Sequence, residues 1–210
     1  VVTDVLLSSS VVDHLAELNI PIVLFNRYNQ SLHCHTVCCD NVDGGYRIGE
    51  YLISRGHRRL AFIAGNTDTS TSQDREKGFR DALMKYGYNL ITETGYFTYE
   101  GAFEAASRLL TSVEPPDAIF CANDIMALGA IDAAKKLGVR IPDGVSIIGF
   151  DDIKPSSWEG YALTTWKQPL ERMIQATIDL LLGSIEEKGQ MNQGVSKWIK
   201  GELVERNTVK

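Results

Sequence analysis

Short β-branched runs alternate with amphipathic stretches along almost the whole chain, and no other feature constrains its fold as strongly. The runs are Val5–Leu7, Ile20–Phe25, Thr36–Cys39, Leu60–Ala64, Ala118–Cys121, Val145–Phe150 and Trp198–Val204. Each is short enough for a strand and rich in residues that favour one. Between them, residues 43–55 carry Ile48 and Leu52 on one face and stop at Gly56, and residues 74–86 carry Phe79 and Leu83 and stop at Gly87. Residues 123–137 open with the cap Asn123-Asp124 and close at Gly138, and Pro169 opens a last helix running to about Lys188. Strand and helix in alternation predict βαβ units and parallel sheet.

Open parallel sheets bind ligands beyond the carboxyl ends of their strands. In this sequence those ends are polar: Ser8-Ser9-Ser10, Asn26-Arg27, Asp40-Asn41, Asn66 through Asp74, Asn123-Asp124 and Asp151-Asp152. Any one of them reads as an ordinary loop or helix cap. Their succession at strand after strand points to a ligand cleft.

Composition limits what that cleft serves. With 210 residues, 44% hydrophobic and 23% charged, the chain is globular, as one domain or two small lobes. A net charge of −6 argues against a grip on nucleic acid by these residues, because backbone binding needs clustered positive charge. No apolar run reaches the ~18 residues that span a bilayer, and the start VVTDVLLSSS lacks the features of a secretion signal. The strand-like beginning suggests a fragment. Cys34, Cys38, Cys39 and Cys121 are too few and too unevenly spaced for a disulfide framework, which favours a reducing cytoplasm.

Enzyme signatures are missing: there is no G-x-G-x-x-G after a strand, no phosphate-binding G-x-x-x-x-G-K-[ST], no G-x-S-x-G and no H-E-x-x-H. The expectation is that the chain is not an enzyme and needs no cofactor. His33-Cys34-His35 with Cys38-Cys39 is the densest group of soft ligands, yet its spacing fits no common zinc pattern. On a strand, Cys38 and Cys39 point to opposite faces, so no metal site is expected. Asn, Asp and Arg side chains instead suit the paired hydrogen bonding of vicinal hydroxyls, with an aromatic face covering a ring; the candidate aromatics are Phe97, Tyr99, Trp158 and Tyr161.

GHRRLAFIAG (56–65), DREKGFRDAL (74–83), PDAIFCANDIMALGAIDAAKKLGVRIPDGVSIIGFDDI (116–153), ALTTWKQP (162–169) and the ending GELVERNTV (201–209) together resemble the effector-binding core of the lactose-repressor (LacI/GalR) family of bacterial transcriptional regulators. The resemblance runs in order over essentially the whole chain. It implies an α/β fold of two Rossmann-like lobes with parallel sheets, like the periplasmic binding proteins. The N-terminal lobe would hold 1–40 and about 167–190, and the C-terminal lobe 41–166 and 191–210. Against the family pattern the helix-turn-helix headpiece and two strand–helix units are absent, so the N-terminal lobe is expected to be incomplete.

Carried over by position, the resemblance makes Arg75 an effector-clamping arginine beside Thr71 and Ser72. Asn123 and Asp151 match polar residues at two strand ends, and Gln168 matches a glutamine at a lobe crossing. Asn26-Arg27 stands where sugar-binding relatives have Asp-Arg, with the charge of the first residue lost. Phe97 matches a ring-stacking aromatic, with Tyr96 the alternative one register away. Ser10 completes the candidate set and Trp158 would cap the pocket. The implied function is that of a homodimeric regulator's sensor half, which closes on a sugar-like effector and meets operator DNA only through the headpiece. The rival from the same fold is a periplasmic sugar-binding protein of a transport system. An enzyme of Rossmann-like fold is a third class, and Thr69, Thr71, Asn26 and Trp158 are the residues expected to set ligand identity.

Overall fold

The computed structural model of the chain describes residues 1–3, 5–8, 12, 14, 20–29, 34–186 and 194–210. Two sheets organise them. A small sheet joins β1 (Val23–Phe25), β2 (His35–Cys39) and β8 (Ser196–Ile199) in the order β1-β2-β8, all parallel. A six-stranded sheet holds β3 (Leu60–Ala64), β4 (Leu90–Thr94), β5 (Ala118–Cys121), β6 (Ser146–Asp151), β7 (Thr164–Lys167) and β9 (Glu202–Val204) in the order β4-β3-β5-β6-β7-β9. Its pairings are parallel except for the last, where β9 runs antiparallel to β7.

Five helices are described: α1 (Asn41–Ser54), α2 (Ser70–Lys85), α3 (Tyr99–Leu110), α4 (Asp124–Lys136) and α5 (Leu170–Glu186). Local chemistry sets their limits. Asp40 caps α1 by accepting the Asp43 N–H at 3.0 Å, and Asn123 caps α4 by accepting the Met126 N–H at 3.0 Å. Because β3 lies between β4 and β5, right-handed crossovers send α2 and α3 to opposite faces of the large sheet. α1 packs on α2, α4 packs on α3, and α5 covers the small sheet. The first pair touches through glycine: a Cβ on Gly78 would stand 2.0 Å from the Val42 carbonyl oxygen, and one on Gly45 2.2 Å from that of Arg75. Between sheet and helices lies a core centred on Phe62, Phe79, Phe120 and Phe150, with Phe120 5.0 Å from Phe62 and 5.2 Å from Phe79 between ring centroids.

The chain passes between the sheets at Asp40-Asn41, at Gln168-Pro169 and at Lys200-Gly201. This corrects three expectations. The run Trp198–Val204 is two strands in different sheets, because Gly201 passes against Trp166, whose Nε1 would lie 2.4 Å from a Cβ there. The segment 191–210 is accordingly divided, with Ser196–Ile199 in the small sheet. Val5–Leu7 is not a strand: the Leu7 N–H is taken by the Asp68 carbonyl at 3.1 Å, and the contact with β1 is a bridge from Val2 to Leu24. β4, β7 and α3 are additions. β4 is an edge strand with half-exposed Thr and Glu residues, so its apolar signal is weak.

Candidate functional site

β3 and β5 are neighbours whose following helices diverge, which makes their carboxyl ends the switch point of the large sheet. Arg75, on the second turn of α2, is directed there and is 2% exposed. Its Nη1–H donates to the carbonyl of Ala122 at 2.6 Å and its Nε–H to Asn41 Oδ1 at 2.8 Å. Its Nη2 stands 3.3 Å from Asp151 Oδ1, and the guanidinium carbon lies 3.7 Å from the centroid of the Phe150 ring. The arginine is thus held in place by the first crossing, by the end of β5 and by the end of β6. Burial pushes its pKa down, and Asp151 opposes that shift.

Asp151 occupies a backbone conformation with φ of 123°, rare for a side-chain-bearing residue and costly enough to mark a constrained position. Its Oδ1 accepts the Gln168 amide N–H at 2.7 Å, so the end of β6 and the second crossing meet on one carboxylate. Burial raises the Asp151 pKa; Arg75 and Gln168 pull it back. Arg75, Asp151 and Gln168, three of the residues expected from sequence, therefore form one hydrogen-bonded cluster.

The small sheet supplies the facing side. Tyr28, three residues after β1, donates its hydroxyl to Asp74 Oδ1 at 3.0 Å and its backbone N–H to Ser70 Oγ at 3.0 Å. Its ring meets Trp198 of β8 edge-on at 5.1 Å. Arg27 stands over the Phe97 ring, 5.7 Å from its centroid, and Ser8 is hydrogen-bonded to Asp68. Phe97 packs where Gly65 has no side chain, since a Cβ there would come within 2.1 Å of the ring. Tyr96, the alternative one register away, is 68% exposed. Asn26 keeps φ at 67° and gives its N–H to Val37, while its buried Oδ1 has no hydrogen-bond partner among the described residues.

Other expected residues stand differently. Thr71 is buried on the first turn of α2 beside Ser72, whose Oγ accepts the Gly65 N–H at 3.0 Å. Asn123 Oδ1 accepts the Met126 N–H as the helix cap, and the Thr69 hydroxyl donates to the Asn66 carbonyl at 2.6 Å. Trp158 is 54% exposed at the end of a 3₁₀ turn (Lys154–Ser157), and its backbone N–H bonds back to Pro155. Tyr99 and Tyr161 both donate to Asp132 Oδ2 of α4, at 2.9 and 3.0 Å, and their rings are partly buried against the core. Ser10 and His33 lie outside the described residues. Cys34, Cys38, Cys39 and Cys121 are all buried, and no group of His, Cys, Asp or Glu able to hold a metal ion occurs among the described residues. Among those residues, no helix is long and apolar enough to cross a membrane.

Asn41, Phe150, Tyr28 and Asp74 are not in the candidate set from sequence. Asn41 and Asp74 had a signal, their place among the polar strand ends. Phe150 reads as core and Tyr28 as loop, and only the folded chain brings them to Arg75 and Asp74.

Comparison with known proteins extends the picture. Residues 50–209 match the periplasmic binding protein-like domain. The HTH-type transcriptional repressor PurR of Erwinia tasmaniensis is 36% identical over 195 residues, covering 91% of this chain and 57% of that relative. The transcriptional regulator CelR in its complex with cellobiose superposes with a TM-score of 0.90 at 29% identity, covering 99% of this chain and 64% of that structure. A LacI family transcriptional regulator from Enterococcus faecium with bound ribose gives 0.85 at 25% identity, covering 97% and 76%. The chain spans about half the length of the curated relatives it matches.

Proposed function

The chain belongs to the LacI/GalR family of transcriptional regulators, in the part with the periplasmic-binding-protein-like fold, and from that premise we propose that it is the effector-sensing core of a bacterial repressor. Its effector is a sugar or sugar derivative, taken between two lobes. One lobe comprises 1–40 with the segment from 167 through β8, and the other comprises 41–166 with β9 and the tail. The observation that carries this reading is the Arg75–Asp151–Gln168 cluster at the strand ends, facing Tyr28 and Arg27 from the small sheet. Planar, charge-assisted donors and acceptors of this kind hold vicinal hydroxyls in pairs. The sugars in two of the structural relatives support the same class.

Mechanism follows from the two sides of the cleft. A ligand that touches both favours their approach, and shifts the equilibrium only by its difference in affinity for the two arrangements. In a homodimer the movement changes the spacing of two DNA-reading headpieces and so the affinity for a two-fold operator. With a net charge of −6 this core leaves DNA to the headpiece, and the cytoplasm is the place where such a regulator meets its operator.

Calorimetric titration with a panel of pentoses, hexoses and disaccharides tests the effector class, and silence across the panel counts against it. Sedimentation analysis tests the dimer; a monomer at all accessible concentrations would refute that part.

A further inference from the structure

Asp124, the first residue of α4, is fully buried and yet makes no contact with Arg75, Asp151 or Gln168 through a hydrogen bond of its own. Its Oδ2 accepts the Ile153 N–H at 2.9 Å and the Ser156 hydroxyl at 2.7 Å, and its Oδ1 accepts the Thr165 hydroxyl at 2.5 Å. One carboxylate therefore ties the start of α4 to the segment after β6, to the 3₁₀ turn and to β7. Room for it is left by Gly149, where a Cβ would stand 2.2 Å from Oδ1. Burying a carboxylate is costly unless donors and a helix N-terminus compensate it, and here both do.

The tied segments carry the site. Ile153 follows Asp151 by two residues, and Thr165 precedes Gln168 by three on the strand leading into the second crossing. We propose that Asp124 is a positioning residue: through Ile153, Ser156 and Thr165 it sets where Asp151 and Gln168 stand against Arg75. The inference rests on the reading of those three residues as the effector-binding cluster.

Burial pushes the Asp124 carboxyl up to about 6, its hydrogen bonds pull it down, and the charge of Asp151 adds to the rise. The other titratable groups in its field are Arg75 on α2 and the buried Cys121 on β5. Above that pH both oxygens accept; below it one must carry a proton, and the three donors can no longer all be received as they are. The tether is thus strongest with Asp124 ionised.

Nitrogen–proton spectra of the unliganded chain, following the Gln168 side-chain amide and the Arg75 Nε–H from pH 8 to 5, test the proposal. In the wild type both signals should move with a step near pH 6. In Asp124→Asn they should be displaced at pH 8 and that step should vanish, while backbone signals of β3 and β4 stay in place. Unmoved Gln168 and Arg75 signals in a folded Asp124→Asn, or an unchanged step, would overturn the assignment. If that variant does not fold, Thr165→Val decides: loss of one donor should shift the step to higher pH, and a profile identical to wild type would overturn it equally. Titration of the wild type with D-ribose and cellobiose separately judges whether the cluster binds sugar.

Discussion

Arg75 Nη2 lies 3.3 Å from Asp151 Oδ1, and this pair joins α2 to the end of β6 at the switch point of the large sheet. The same guanidinium reaches back to Asn41 at the first crossing, and the same carboxylate reaches forward to Gln168 at the second. Two of the three connections between the sheets therefore terminate on one ion pair. A ligand that exchanges hydrogen bonds with either member acts directly on the crossings.

Replacing Arg75 by alanine should weaken effector binding by about 1.5–3 kcal/mol, the range for charge-assisted hydrogen bonds in a buried site. Calorimetry on the mutant with whichever sugar binds the wild type measures it. An unchanged dissociation constant would remove Arg75 from the site.

Tyr28→Phe removes the hydroxyl that Asp74 accepts, while the Tyr28 N–H to Ser70 remains. Burial already raises the Asp74 pKa and this bond opposes the rise, so its loss leaves a less favoured carboxylate. The unliganded protein should shift toward a wider arrangement of the two sheets by a factor of about 10 for ~1.4 kcal/mol. Spin labels at Lys77 on α2 and Ser196 on β8 would show it as a longer, broader distance distribution.

Gly78→Ala forces a methyl against the Val42 carbonyl, backbone that cannot rotate aside. α1 and α2 must separate, at a cost of about 1–3 kcal/mol or more. Urea denaturation should report a lower midpoint with an unchanged slope.

Acid should destabilise the protein through His57. Its ring is buried, with Nδ1 3.3 Å from Asp117 Oδ1, and burial lowers its pKa despite that neighbour. A folded pKa below the unfolded value near 6.5 means that the neutral ring's contribution is complete above about pH 6.5 and is lost as pH falls through the folded value. Stability measured from pH 7.5 to 5 should decline less steeply in His57→Phe than in the wild type.

How much of this was written in the sequence follows from range of interaction. β3 and β5 stand at their expected bounds because each is a continuous apolar run between turn residues, and α4 follows the cap Asn123 because capping is local, whereas α1 starts two residues before the expected 43, behind the cap Asp40. Asp151 was legible from its position at a strand end, and Arg75 and Gln168 from family resemblance alone. Tyr28 was not, because its partners Ser70 and Asp74 come from the opposite side of the cleft. Nor was the split at Gly201, since only the packing of Trp166 against it separates β8 from β9.

The central claim is that a sugar draws the two sides of the cleft together. The Lys77–Ser196 label pair measures this on the wild type, with and without a saturating sugar from the panel. Narrowing to a single shorter distance when the sugar is added, lost in Arg75→Ala, is the predicted result. A distribution that does not respond to a sugar shown by calorimetry to bind would contradict it.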